Sequence, residues 1–374
     1  MRIVITGAGG FLGLRLVREL LAEHRSVTLL ARRGSAETLD RFARFLALSG
    51  DPPELIAQLP ERITVRRADV TEPRFGLSDT EFAELADDLD VLWHCAGDTT
   101  LDADLNQLRK VNVDGTRNAL ALVEAGRRCP LLYHVSTAYV AGKREYGTVY
   151  DDELTDAYGF ETPYERSKYE AETEIRRWQR QHDRAVVVFR PSILTSDLAY
   201  DPDLPPHPLI TAVLTLSAIK QATLRSGSRL RDDVRPVVRL LGNPDAQLNI
   251  VPVEDAAAVM VRLSRLSPAR RVDTYHVVHH HEVPAATVMR ALGEIIGVEF
   301  VLVRELDDPT ALETRLHLLL SATAYVKHQR RYDDARVRAL IDADSSRGRL
   351  DLDYLLATVR HVPAPGRQSL AVSR

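Results

Sequence analysis

The stretch Thr6-Gly7-Ala8-Gly9-Gly10-Phe11-Leu12-Gly13 joins a short apolar run, residues 2–6, to an amphipathic one, residues 12–23. Few features constrain a fold more. A strand that turns on glycines directly into a helix is the first unit of a parallel, doubly wound sheet. Gly7, Gly10 and Gly13 fall at a G-x-x-G-x-x-G spacing. Gly7 permits the tight turn, Gly10 lets the backbone come close to a pyrophosphate, and Gly13 allows close packing of helix on strand. The amides at the helix N-terminus favour the phosphate charge, so a dinucleotide site is expected here.

The rest of the first half repeats the pattern. Residues 26–30, 63–66, 91–94, 131–135 and 185–190 read as further strands, and 105–125 and 167–181 as amphipathic helices between them. Such alternation implies right-handed crossovers and a Rossmann-type parallel sheet, with ligands beyond the carboxyl ends of its strands. Residues 197–208 are too proline-rich for regular structure, 209–225 look helical, and 237–241, 249–253 and 274–278 look like strands. From Pro284 to about Leu356 the pattern is mostly helical. The expected division is a nucleotide-binding domain at 1–193, with 246–282 returning to the sheet or its edge. A smaller, mostly helical substrate lobe would come from 194–245 and 283–360, followed by a flexible tail at 361–374.

Composition excludes several functions. A formal net charge of −4 and a pI near 6.3 leave no basic footprint for nucleic acid. Two cysteines, Cys95 and Cys129, make no disulfide framework and suit a reducing compartment. No signal peptide and no apolar window of about 18 residues is evident, so a cytoplasmic protein without a membrane span is expected, as monomer or homodimer. The run Tyr275-His-Val-Val-His-His-His281 reads as strand and loop rather than a metal site, since adjacent strand residues face opposite ways. The arginine-rich run 225–239 reads as a solvated face, or else as a contact for a CoA or phosphopantetheine phosphate. Trp93 and Trp178 read as packing residues.

The second strand bears on the cofactor. An NAD-preferring site places a carboxylate there for the ribose hydroxyls, whereas a 2′-phosphate wants arginine. The chain reads Leu29-Leu30-Ala31-Arg32-Arg33-Gly34, with no acid until Glu37, so NADPH is expected over NADH, with Arg32 the first choice and Arg33 the second. Asp69, closing the third strand, is either an acceptor for the adenine amino group or a plain loop aspartate.

Tyr164-Glu-Arg-Ser-Lys168 puts a phenol and an ammonium one helical turn apart on one face. Phenol alone, with a pKa of about 10, is a poor acid or base near neutrality; a neighbouring cation is expected to lower that value. Ser136-Thr137 ends the fifth strand, which brings two hydroxyls to the ligand edge.

Together the glycine turn, Ser136-Thr137 and Tyr164/Lys168 resemble the extended short-chain dehydrogenase/reductase superfamily. The segments Val135-Ser-Thr-Ala-Tyr-Val140, Pro163-Tyr-Glu-Arg-Ser-Lys-Tyr-Glu-Ala-Glu172, Arg190-Pro-Ser192, Asn249-Ile-Val-Pro-Val253, Phe75-Gly-Leu-Ser78 and Asn112-Val-Asp-Gly-Thr116 resemble its fatty acyl-CoA reductase and thioester reductase branch, over roughly residues 1–260. The resemblance implies that Tyr164 is the general acid, that Lys168 lowers its pKa and holds the nicotinamide ribose, and that Thr137, with Ser136 as fallback, bonds the developing alkoxide. Asn112 would support a proton relay or, equally, bend its helix through a side-chain bond. Thr6, Phe11, Leu12, Val70, Ala96, Gly97, Pro191 and Ser192 would join the glycines in lining the cofactor. The implied reaction reduces an acyl thioester, on CoA or a carrier protein, to the aldehyde and in a second step to the alcohol. The polar 197–236 region points away from a long fatty chain. Competing readings are a free aldehyde or ketone dehydrogenase, a sugar-nucleotide epimerase, and a non-catalytic NADP(H) sensor. The two arginines speak against an epimerase, and the intact Thr137, Tyr164 and Lys168 against a sensor.

Overall fold

Apolar runs, most of them buried on both faces, become the strands of the central sheet, with Ile63–Arg67 at its edge only partly buried. They are β1 (Ile3–Thr6), β2 (Val27–Ala31), β3 (Ile63–Arg67), β4 (Val91–His94), β5 (Leu131–Val135), β6 (Val186–Pro191) and β7 (Val272–Val277). All neighbours are parallel, in the spatial order β7-β6-β5-β4-β1-β2-β3. The computed structural model describes residues 1–225, 235–319, 321–341, 348 and 350–362. The expected tail therefore lies, from residue 363 on, outside the described residues, as does 226–234 of the arginine-rich run.

Alternation along each strand sends side chains to two different cores. Ile3 and Ile5 of β1 pack with Leu14, Val17, Phe42, Phe45 and Met260, from the helices Phe11–Glu23, Ser35–Leu48 and Val253–Ser264. Val4 points the other way, to Phe82, Leu85, Ala119, Leu122 and Ile175 of the helices Asp79–Asp88, Gly115–Ala125 and Pro163–His182. The expected helix over 105–125 is interrupted by a π turn at Lys110–Asp114, between Leu105–Arg109 and Gly115–Ala125.

A further core gathers Val213 and Leu216 of Pro208–Arg225, Val288 and Leu292 of Ala285–Ile296, Leu316 of Ala311–Leu319, and Leu355 and Val359 of Leu352–Val359. Helices dominate it, but not alone. Val237–Leu241 pairs in parallel with Glu299–Val303, a strand inside the stretch that sequence patterning reads as helical. Residues 249–253 also depart from expectation. Ile250–Pro252 does not enter the central sheet but pairs with Ile193–Thr195, while Val272–Val277 takes the sheet edge as β7. Of the arginine-rich run, Arg235 pairs with Glu294 at 3.0 Å and Arg239 grips Glu313 through Nε and Nη2 at 2.8 and 2.9 Å. Trp93 is a packing residue, stacked on Tyr133 and Phe189 with ring centroids 4.6 and 5.6 Å away.

The strand order reverses between β1 and β4. In an open α/β sheet the crevice beyond the carboxyl ends at such a point is where a ligand binds.

Candidate active site

The glycine turn is built for close approach. Gly7 has a φ of +72°, and a Cβ there would lie 2.5 Å from the Ala96 nitrogen at the end of β4. A Cβ on Gly13 would come within 2.0 Å of the Gly7 carbonyl oxygen, so the helix sits directly on the turn. No side chain caps this helix at Gly10, which leaves its first amides as donors for an anion. Thr6 is fully buried: its Oγ1 accepts from the Ala96 amide at 3.2 Å and lies 2.9 Å from His94 Nδ1. It thus ties β1 to the end of β4. These features fit a dinucleotide phosphate.

Arg32 and Arg33 are exposed just past β2, with Arg33 paired to Glu37 one turn along the next helix. Sequence reasoning missed Arg41. It lies half-buried on that helix, its Cδ 3.9 Å from where a Cβ on Gly9 would stand. Burial and the charge of Arg33 both lower its pKa, which marks a cluster of positive charge beside the glycine turn. Its only signal in the sequence is its place on the helix after β2. Asp69 Oδ1 accepts from the amide and hydroxyl of Thr71 at 2.9 and 2.8 Å, a turn-forming role. Val70 packs against Gly115, and its carbonyl accepts from Asn118 Nδ2 at 2.8 Å.

The residues expected to react converge at the ends of β5 and β6. Thr162 caps the helix Pro163–His182, which carries Tyr164 in its first turn and Lys168 in its second. Tyr164 is close enough to Thr137 for that hydroxyl to act on its pKa, lowering it. Thr137 Oγ1 also accepts from the Tyr139 amide at 3.2 Å and donates to the Pro191 carbonyl at 3.4 Å. Ser136 is buried on the other side, next to Glu172.

Lys168 is anchored to the end of β5. Its Nζ donates to the Val135 carbonyl at 2.8 Å, and burial lowers its pKa to about 8. Burial likewise pushes Tyr164 up to about 12, against the opposing pull of the Thr137 hydroxyl, and the charges of Glu165 and Asp98 add to the rise. The four-residue spacing brings the two side chains to one face, and the Val135 carbonyl holds the ammonium there. Asn112 is committed as well. Its Oδ1 accepts from the Asp98 amide at 2.8 Å, and its Nδ2 donates to the Asp98 carbonyl at 2.9 Å and to Ser167 Oγ at 2.8 Å. It joins the loop after β4 to the Tyr164 helix rather than bonding within its own. Ser192 Oγ donates to Asn249 Oδ1 at 2.6 Å, and Asn249 Nδ2 donates to the His279 carbonyl at 2.7 Å. Asn249 thereby ties the end of β6 to the loop after β7.

Beneath Lys168 lie groups that motif reading passed over. His94 and His134 are fully buried on adjacent strands, ring centroids 5.4 Å apart. Glu172 and Arg190 form a bidentate pair, at 2.9 and 2.7 Å, between the helix and β6, and Arg190 also donates to the Glu153 carbonyl at 2.8 Å. Burial alone would raise the Glu172 carboxyl, but Arg190 outweighs it and holds it below the usual range.

A family model described as Male sterility protein, an NAD-binding family, matches residues 5–260. The chain belongs to that family. Among curated proteins it is 24% identical to the hybrid PKS-NRPS synthetase pvhA of Talaromyces variabilis over 73% of this chain, which is 6% of that protein. It is 29% identical to fatty acyl-CoA reductase 1 of Mus musculus over 38% of this chain and 29% of that protein. The chain thus spans a small part of these relatives. Among solved structures, the terminal R domain from the myxalamid PKS-NRPS biosynthetic pathway matches with a TM-score of 0.74 at 22% identity, covering 96% of this chain and 89% of that one. UDP-glucuronic acid 4-epimerase from Bacillus cereus, in complex with NAD, matches at 0.62 and 17% identity, over 97% and 96%. These likenesses show the fold. Among the described residues no helix is long and apolar enough to cross a membrane.

Proposed function

We propose that the chain is an NADPH-dependent reductase of an acyl thioester carried by CoA or by a carrier protein. The observation that supports this most is the gathering of Thr137, Tyr164 and, one turn on, Lys168 at the carboxyl edge of the sheet. Relatives that include PKS-NRPS synthetases and a fatty acyl-CoA reductase favour a thioester over a sugar nucleotide.

The nicotinamide, when bound, supplies a hydride to the carbonyl carbon. Tyr164 gives its proton to the carbonyl oxygen, and Thr137 donates a hydrogen bond to that oxygen as charge develops on it. The resulting hemithioacetal loses thiol as its hydroxyl proton passes to sulfur, leaving the aldehyde; a second round would give the alcohol. Lys168 is the residue to hold the nicotinamide ribose, with its ammonium fixed by the Val135 carbonyl. Arg32, with Arg41 and Arg33 beside it, would pair the 2′-phosphate. Asp69 would use its remaining carboxylate oxygen for the adenine amino group. The nucleotide-binding domain is 1–193 with 246–282, and the second core, from 194–245 and 283–360, is the substrate lobe.

The test is NADPH oxidation with acyl-CoA, acyl-carrier and free aldehyde substrates. Tyr164→Phe is expected to lower kcat by about 10²–10⁴-fold while the NADPH Kd stays unchanged. Turnover of a UDP-sugar by tightly held NAD, with none on any thioester, would refute the reading.

A further inference from the structure

The proline-rich stretch 196–207 forms neither strand nor helix, yet it is fastened at its start, middle and end. At the start, Ser196 Oγ donates to Glu254 Oε1 at 2.8 Å, and that oxygen also accepts from Arg15 Nε at 3.2 Å. Arg15 in turn donates to the Phe11 carbonyl at 3.1 Å, on the first residue of the helix that leaves the glycine turn. In the middle, the Leu204 amide donates to the Asp201 carbonyl at 3.1 Å and closes a turn. The turn carries two carboxylates to Arg44 of the helix Ser35–Leu48: its Nη1 lies 3.1 Å from Asp201 Oδ2 and 2.8 Å from Asp203 Oδ2. Leu204 itself is buried in the core that holds Phe42 and Phe45 of that helix. At the end, the buried His207 ring lies against Phe11, with centroids 5.9 Å apart. Its Nε2 meets the Thr358 carbonyl of the helix Leu352–Val359 at 3.1 Å; a carbonyl only accepts, so Nε2 carries the proton.

We propose that 196–207 is a strap across the bound dinucleotide, latched by Arg44 on Asp201 and Asp203, and that unlatching it sets how fast the cofactor leaves. This rests on the glycine turn as the dinucleotide site and not on which carbonyl is reduced. A phosphate on the first amides of that helix has the strap beside it, because Phe11 is the residue that His207 covers. Arg44 stands three residues after Arg41, on the same helical face, and Arg41 is the arginine that reaches the turn at Gly9. The latch is thus one helical turn from the positive cluster beside the cofactor. Exposure decides which fastening yields. Arg15 and His207 are 5% and 2% exposed, so releasing either end strands buried polar groups. The Arg44 and Asp203 side chains are 51% and 67% exposed, so water replaces their ion pair at little cost. The strap therefore opens at its middle, with both ends held.

The experiment is stopped-flow release of NADPH, and separately of NADH, from the whole chain, read by nucleotide fluorescence. Asp201→Asn/Asp203→Asn should release both cofactors about two- to tenfold faster, the loss of two exposed ion pairs, with association rates within about twofold of wild type. A pair of carboxylates that acted only through its charge would do the reverse. It would repel the cofactor phosphates, so removing it would slow release and speed association. Release that is slower than or equal to wild type therefore overturns the proposal. Arg44→Gln breaks the same latch from the other side and should speed release of NADH as much as of NADPH. A change confined to NADPH would make Arg44 a 2′-phosphate ligand instead and overturn the latch. A strap that only supports the fold would lower the urea midpoint of either variant and leave the release rates in place, which also overturns it. Wild-type protein that binds neither nucleotide would refute the dinucleotide site itself, and the strap with it.

Discussion

Gly7 and Gly9 stand two residues apart in the same turn and should respond to one added methyl group in opposite ways. Alanine at Gly7 must adopt a φ of +72° with its Cβ 2.5 Å from the Ala96 backbone, whereas alanine at Gly9 meets nothing nearer than the Arg41 side chain at 3.9 Å. Left-handed strain alone costs roughly 1–2 kcal/mol, before the collision with β4. Gly7→Ala should therefore lower stability in urea by more than about 2 kcal/mol and abolish NADPH binding, while Gly9→Ala should stay within about 0.5 kcal/mol of wild type. Equal losses at both positions would contradict the packing described for the turn. The arginines allow a second contrast. Arg32→Ala and Arg41→Ala should each weaken NADPH binding by about 1.5–3 kcal/mol, the range for a hydrogen bond to a charged group, and leave NADH unaffected. Equal weakening of both cofactors in titrations would remove the 2′-phosphate assignment. At this scale the sequence carried residue type and spacing but not direction. Tyr164 and Lys168 share a helical face as their four-residue spacing requires, yet the Lys168 ammonium ends on the Val135 carbonyl because a strand end 33 residues away offers the acceptor.

The helix Pro163–His182 is docked on the sheet by a buried ion pair as well as by apolar contact. Glu172 and Arg190 are essentially inaccessible to solvent, so removing one partner strands a charge in a poorly solvating interior. Arg190→Met should destabilise the fold by about 3–5 kcal/mol, read from the urea midpoint, and the double variant Glu172→Met/Arg190→Met should recover part of that loss. A single variant as stable as wild type would show that the pair carries no such strain. The Glu172 carboxyl is held low in the folded state, so its contribution is present above the ordinary glutamate range and is lost as pH falls through the folded value. Elements such as β4 and β5 were legible because a parallel strand covered on both faces is an unbroken apolar run, and both lie at the expected residues. Glu299–Val303 was not legible. It is only partly buried, and its partner, Val237–Leu241, lies 62 positions upstream, which no local pattern reports. The π turn at Lys110–Asp114 escaped for a related reason. It serves the bonds from Asn112 to Asp98 and Ser167, contacts that exist only once the helix is packed.

Over the whole molecule, the buried imidazoles decide how the fold meets acid. Burial lowers His94 and His276 to about 3 and His207 to about 4, and it holds His134 well below its ordinary value, with Lys168 adding to the effect at both His94 and His134. In the unfolded chain each would titrate near about 6.5. Below that value the unfolded state binds more protons than the folded one, so stability falls as pH falls. Each group whose folded value is that low contributes about 1.4 kcal/mol per pH unit across its window. Glu165 works in the opposite sense. Raised to about 7, it binds its proton in the folded state first, and between the ordinary glutamate value and 7 it offsets one histidine. The imidazoles outnumber it, so the net expectation is a loss of stability as pH falls over that range. Thermal unfolding followed from about pH 7.5 to about pH 4.5 should show the midpoint falling steeply below about 6.5. His134→Phe should flatten that slope by close to one histidine's share, since the ring sits between strands where a phenyl group needs no proton. A midpoint independent of pH over this range would mean that water reaches these imidazoles in the folded protein, and the sheet's buried polar layer would have to be more open than its burial indicates.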